Sequence, residues 1–257
     1  MKRKIAFAVL ALAFLVTQTQ AQDKSMAKPM MDTGAAKTKM MQPAMMMAAE
    51  KTMMSDKSMV PSMMAKEMLM HEMMHNESTM MMMKKAAMSP DSEKPAMMDD
   101  NKMKMAGEKL LADSSQMQLL FQELVARHLA AQKIAMAKPS ATDSKNMMTP
   151  KTMMPMMNET SMMESKKEMM AGDAMTMMMA RESLIKSLME DPEVMAIVEK
   201  QAKKLQESSM AKMIADDHLM MKSESMTKDP AMMKGVVKDA MVRSTMEAGQ
   251  MMMEKKK

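Results

Sequence analysis

Met117-Gln118-Leu119-Leu120-Phe121-Gln122-Glu123-Leu124-Val125-Ala126-Arg127-His128-Leu129-Ala130-Ala131 reads as a helix. Met117, Leu120, Phe121, Leu124 and Ala131 recur at the i, i+3, i+4, i+7 spacing of one apolar face, with Glu123 and Arg127 off it. His128 continues that face and is read as a helix-face residue rather than a ligand. Pro139 supplies a stop. The spacing predicts an amphipathic helix over residues 107–138 and an all-α character for whatever part of the chain folds.

Further along, Asp191-Pro192 has the form of a helix start, an N-cap followed by proline in the first turn. Val194, Ile197, Val198, Ala202 and Leu205 then make a face. A second start follows at Asp229-Pro230, and Met195, Val198 and Ala202 align with Met233, Val236 and Ala240. Residues 177–257 are therefore expected to be a helical, Met-rich region built on a duplicated Asp-Pro-helix unit. A small helical hairpin or bundle packed around Met and Val would result.

The segments around these helices have another composition. Residues 22–106 are Met, Ala, Lys, Ser, Asp and Pro, with Val60 and Leu69 as the only aliphatics larger than Ala. Residues 139–176 form a similar Met-rich linker interrupted by Pro139, Pro150 and Pro155. Such segments bury too little Leu, Ile, Val and Phe to offset chain entropy, so disorder is expected of them. The fold class predicted for the whole chain is mostly disordered, low-complexity sequence with all-α segments.

Residues 1–21 read as a secretory signal. Lys2, Arg3 and Lys4 precede an apolar run from Ile5 to Val16, too short to span a bilayer, and Thr19-Gln20-Ala21 offers small residues for cleavage. Removing it takes away three cations and no anion, leaving the chain near neutrality. A periplasmic or secreted location is expected, with no stable membrane insertion after cleavage.

Composition narrows the chemistry. Of 257 residues 57 are Met, while Cys, Trp and Tyr are absent. No disulfide and no cysteine-ligated zinc or iron–sulfur site can form. After residue 21 there are three Arg and one Phe, too few phosphate forks and stacking rings for a nucleic-acid partner. Five Gly leave no phosphate-binding loop, and no catalytic constellation emerges, so an enzyme is not expected.

The Met spacing is itself informative. Adjacent pairs, and pairs five or six apart, are much commoner than pairs three or four apart, which would share a helical face. Doublets thus recur among Lys, Ser, Asp and Ala, which suits accessible thioethers. The candidate oxidant-reactive residues are Met30, Met31, Met40, Met41, Met53, Met54, Met63, Met64, Met147, Met148, Met153 and Met154. A thioether takes one oxygen to become a sulfoxide, and dedicated reductases reverse the change. Such a sink requires no cofactor.

Met226-Thr227-Lys228-Asp229-Pro230 fits a Met-x-Lys-Asp-x pentapeptide. Met64-Ala65-Lys66-Glu67-Met68 nearly fits, and Met54-Ser55-Asp56-Lys57-Ser58 exchanges the middle pair. In the leader and the low-complexity regions the chain resembles secreted bacterial proteins built from that pentapeptide, and methionine-rich periplasmic peptides that scavenge hypochlorite. The resemblance implies a sacrificial thioether reservoir maintained by methionine sulfoxide reductase as partner.

A second reading uses the same sulfurs as ligands. Met68-Leu69-Met70-His71-Glu72-Met73-Met74-His75 places two imidazoles among four thioethers, a soft donor set suited to Cu(I) or Ag(I). Met68, Met70, His71, Met74 and His75 are the candidate ligands, and the segment resembles the His/Met clusters of flexible periplasmic silver- and copper-binding proteins. His71 to His75 also fits H-E-x-x-H, but zinc-protease chemistry needs a rigid helix and a third ligand on a packed scaffold. A third reading takes the Met-rich helices as an adaptable apolar binding surface.

Overall fold

The computed structural model describes residues 33–87, 100–136, 159–170 and 173–254. These form eleven α-helices: α1 (Thr33–Met40), α2 (Pro43–Met53), α3 (Val60–His75), α4 (Glu77–Ala87), α5 (Asp100–Ala112), α6 (Ser114–Met136), α7 (Glu159–Met170), α8 (Ala174–Met189), α9 (Pro192–Gln206), α10 (Asp216–Lys228) and α11 (Pro230–Glu254). A 3-10 turn at Ser209–Lys212 joins α9 to α10. Among the described residues there is no strand. The signal reading of residues 1–21 lies outside the described residues.

Two of the helices begin at aspartate caps. Asp191 Oδ1 accepts from the backbone N–H of Glu193 at 2.9 Å and of Val194 at 3.3 Å. Asp229 Oδ1 does the same for Ala231 at 2.9 Å and Met232 at 3.2 Å. The two Asp-Pro starts thus share one cap geometry, with Pro where no helical N–H is needed. Val198 and Ala202 in α9, and Val236 and Ala240 in α11, are buried at corresponding positions.

The helix expected over residues 107–138 is two helices. Asp113 separates α5 from α6, and its Oδ1 accepts from the backbone N–H of Ser115 at 2.7 Å. Asp113 with Gln116 three residues on has the pattern of a helix N-terminus. α6 then buries Met117, Leu120, Phe121, Leu124, Val125 and Leu129, while Ala131 is exposed.

The disorder expected over residues 22–106 and 139–176 is corrected wherever those ranges are described: α1 to α4 and the start of α5 occupy the first, and α7 and the start of α8 the second. Two physical terms were undercounted. Ala, Met, Lys and Glu are all strong helix formers. A buried Met side chain contributes about 1.5–3 kcal/mol, as much as Leu or Ile, so counting only Leu, Ile, Val and Phe understates the core. α3 carries this burial: Val60, Met64, Ala65, Leu69, Met70 and Met73 all face inward. At its start, Ser58 Oγ accepts from the Val60 N–H at 3.2 Å.

α3 packs on α6, α10 and α11; α9 packs on α6 and α8; α5 packs on α8; and α4 packs on α7. One hydrophobic cluster takes in Met64 and Leu69 from α3, Leu124 and Leu129 from α6, Leu184 and Ile185 from α8, Val198 and Leu205 from α9, and Val236 and Val242 from α11. The C-terminal helices are part of that cluster rather than a separate hairpin, because their apolar faces find α3 and α6 as partners. A smaller cluster joins Met103, Ala106 and Leu110 of α5 to Ala180 of α8.

Candidate functional site

Consecutive helical residues point about 100° apart, so the two side chains of a Met doublet meet different surroundings. In four doublets one side chain packs and its neighbour faces out. Met40 is buried and Met41 exposed; Met53 is buried and Met54 exposed; Met162 is buried and Met163 exposed; Met233 is buried and Met232 exposed. Met63 is half-buried beside the fully buried Met64. Met30, Met31, Met147, Met148, Met153 and Met154 lie outside the described residues.

The resulting surface is chemically selective. Among the described residues, every large hydrophobic side chain that stands exposed is a methionine. Met47 is 72% exposed, Met105 and Met136 are each 69%, and Met81 is 62%. Met59, Met189, Met220 and Met221 also face out. No Leu, Ile, Val or Phe does so among the described residues. Met59, Met105, Met136 and Met189 stand outside any doublet, so doublet spacing gave no sign of them. Met105, for example, sits on the polar side of α5, a signal a helical wheel carries.

The Met/His segment forms the last two turns of α3. Met68 and Met74 pack partly against the core, Met70 is buried, His71 is half-buried and His75 is exposed. The two imidazoles stack with ring centroids 3.9 Å apart and planes 25° from parallel. Burial first, and the neighbouring His75 second, hold the His71 pKa below its ordinary value, with Glu67 opposing. Burial raises the Glu72 carboxyl. Among the described residues no three His, Asp or Glu are grouped to hold a metal ion, so any ion here would need sulfur donors. His128 lies apart: its Nε2 pairs with Gln132 Nε2 at 2.9 Å, and Gln206 donates to Gln132 Oε1 at 3.2 Å, tying α9 to α6.

A charged node at the centre of the fold was not anticipated. Arg127 of α6 is 9% exposed and donates to Glu123 of its own helix at 2.7 Å and to Glu182 of α8 at 2.6 Å. Arg243 of α11 donates to Glu67 of α3 at 2.7 Å and lies 3.2 Å from Glu182. Arg181 pairs with Glu123. Three arginines and three glutamates thus neutralise one another across four helices. They are all the arginines after residue 21. That was the available signal: after residue 21 the chain uses Lys for its other cations and keeps Arg, with its planar multi-donor fork, for this node.

The node has a pH signature. Burial by itself would raise Glu182, but the Arg127 hydrogen bond and the charges of Arg127, Arg243 and Arg181 prevail and hold its carboxyl below the ordinary glutamate value. A depressed folded-state pKa adds stability that is complete above the unfolded value and is lost as pH falls through the folded one. The stability gap between wild type and Glu182→Gln is therefore expected to be wide at neutral pH. It should narrow well below the ordinary glutamate range, as read from urea midpoints at the two pH values.

No protein-family model, curated protein or solved structure matches this chain. Among the described residues no helix is long and apolar enough to cross a membrane.

Proposed function

We propose that this protein is an exported, non-enzymatic oxidant sink. Each exposed Met thioether attacks hypochlorous acid at chlorine and releases hydroxide; water then displaces chloride from the chlorosulfonium, leaving a sulfoxide with net release of chloride and a proton. A methionine sulfoxide reductase, the partner the pentapeptide resemblance implies, returns the thioether. The observation that carries this reading is the surface on which methionine alone supplies the exposed large hydrophobics of the described residues. The absence of Cys, Trp and Tyr supports it, since those side chains would divert the oxidant into less readily reversed products. Folding adds a further advantage over a disordered reservoir: the helices hold outward-facing sulfurs in water while inward-facing ones keep the scaffold together.

The test is oxygen uptake by intact mass after sub-stoichiometric hypochlorite, followed by reductase and reductant. A variant with Met47, Met81, Met105, Met136, Met220 and Met221 changed to Leu removes half of the exposed methionines among the described residues. It is expected to keep its helical circular dichroism and to take up fewer early oxygens than wild type. In the wild type, the added oxygens are expected to disappear on reductase treatment. Unchanged early uptake in the variant, or sulfoxides that the reductase leaves in place, would refute the proposal.

A further inference from the structure

The end of α3 has a donor arrangement that oxidant scavenging does not require. Met68, His71 and His75 follow one another at intervals of three and four residues, so they share one face of the helix. Helical side chains lean toward the N-terminus, so each of the three covers the turn occupied by the one before it. The His75 ring lies on the His71 ring, and His75 Nδ1 is 2.9 Å from the His71 carbonyl oxygen. A carbonyl can only accept, so His75 Nδ1 carries the proton and donates it. Its Nε2 is then left with a free lone pair, the tautomer in which histidine binds metals. Glu67, the nearest carboxylate N-terminal to His71, is engaged by Arg243.

We propose that this turn binds a single soft monovalent cation, Cu(I) or Ag(I), through His71, His75 and the Met68 thioether. Two imidazoles and a thioether match the preference of such ions for few, soft ligands. Zinc, which favours four ligands drawn from thiolate, imidazole and carboxylate, does not find that set among the described residues. Binding requires the His71 ring to turn out of the stack until it aims a nitrogen at the ion held by His75 Nε2, a side-chain rotation that leaves the helix and the His75 Nδ1 hydrogen bond in place. Met74, three residues after His71, stands as the nearest alternative thioether.

Silver(I) is the probe, because it undergoes no redox cycling and separates binding from oxidation. The full chain is titrated with silver nitrate in chloride-free buffer and followed by calorimetry and by the imidazole proton resonances. One equivalent is expected to bind ahead of the scattered thioethers and to move the His71 and His75 resonances together. His71→Gln with His75→Gln is expected to weaken that first equivalent by at least about tenfold, the scale on which groups supporting a metal site act. His75→Gln alone, at an exposed position, gives the same direction without threatening the fold. Met68→Leu should weaken binding less. Equal affinity for the first equivalent in wild type and His75→Gln would overturn the proposal. So would silver spreading over many equivalent sites with the imidazole resonances unmoved. Either result would leave the oxidant reading standing, since that reading uses other residues.

Discussion

Arg127→Leu is expected to cost about 3–5 kcal/mol, the usual consequence of removing one member of a buried ion network. The reason is in the geometry. Arg127 is nearly enclosed and is the shared donor to Glu123 and Glu182. Without it, two carboxylates remain in a poorly solvated interior with fewer cations than charges to balance. A loss of that size is a large part of the 5–15 kcal/mol typical of a domain. Urea unfolding followed by circular dichroism in the helical band is the measurement, because a chain without Trp or Tyr has only weak Phe fluorescence to follow. Arg127→Leu combined with Glu182→Leu is expected to recover part of the loss, since it removes a stranded charge along with the cation. A single variant within about 1 kcal/mol of wild type would show that water reaches the node and that the pairs are no stronger than surface ones.

Oxidation of the native protein is expected to proceed in two separated phases. Met47, Met81, Met105 and Met136 stand in solvent and should react at the rate of a free thioether. Met53, Met64, Met73 and Met117 are at or below 1% exposure and react only when the bundle opens around them. If opening costs about 3 kcal/mol, the second phase is on the order of 100-fold slower. Once formed, a buried sulfoxide puts a polar oxygen where no partner waits, at a cost of roughly 1–3 kcal/mol for each one. The second phase should therefore accelerate as it proceeds and end in loss of helicity. Peptide mapping of sulfoxides over time in hypochlorite, with and without urea, reads both phases. Buried and exposed methionines oxidising together in the absence of urea would mean that the helices do not protect their inward sulfurs.

These two experiments separate what local sequence reveals from what it conceals. α6 was legible because Leu120, Phe121 and Leu124 repeat at helical spacing, and the starts of α9 and α11 were legible because Asp191 and Asp229 precede Pro. The break at Asp113 had the same signature and lay inside a longer pattern that masked it. α1 to α4 were obscured because their core residues are chiefly Met and Ala, whose burial is ambiguous until a partner helix is known. Met64 and Met63 are identical in type and adjacent in the chain, and only the packing of α3 against α6, α10 and α11 separates them.

The sequence by itself determined the starts of α9 and α11, because caps and proline act within a few residues. It also determined the reactive inventory, thioethers without thiol, indole or phenol, because that is composition. Tertiary structure alone decided which sulfurs of the doublets meet solvent, and that His71 and His75 stack on a buttressed helix rather than on a free segment. It alone drew Arg243 to Glu67, 176 residues away, and Arg127 to Glu182, 55 residues away. Burial and charge pairing are relations between distant segments, and no spacing along the chain encodes them.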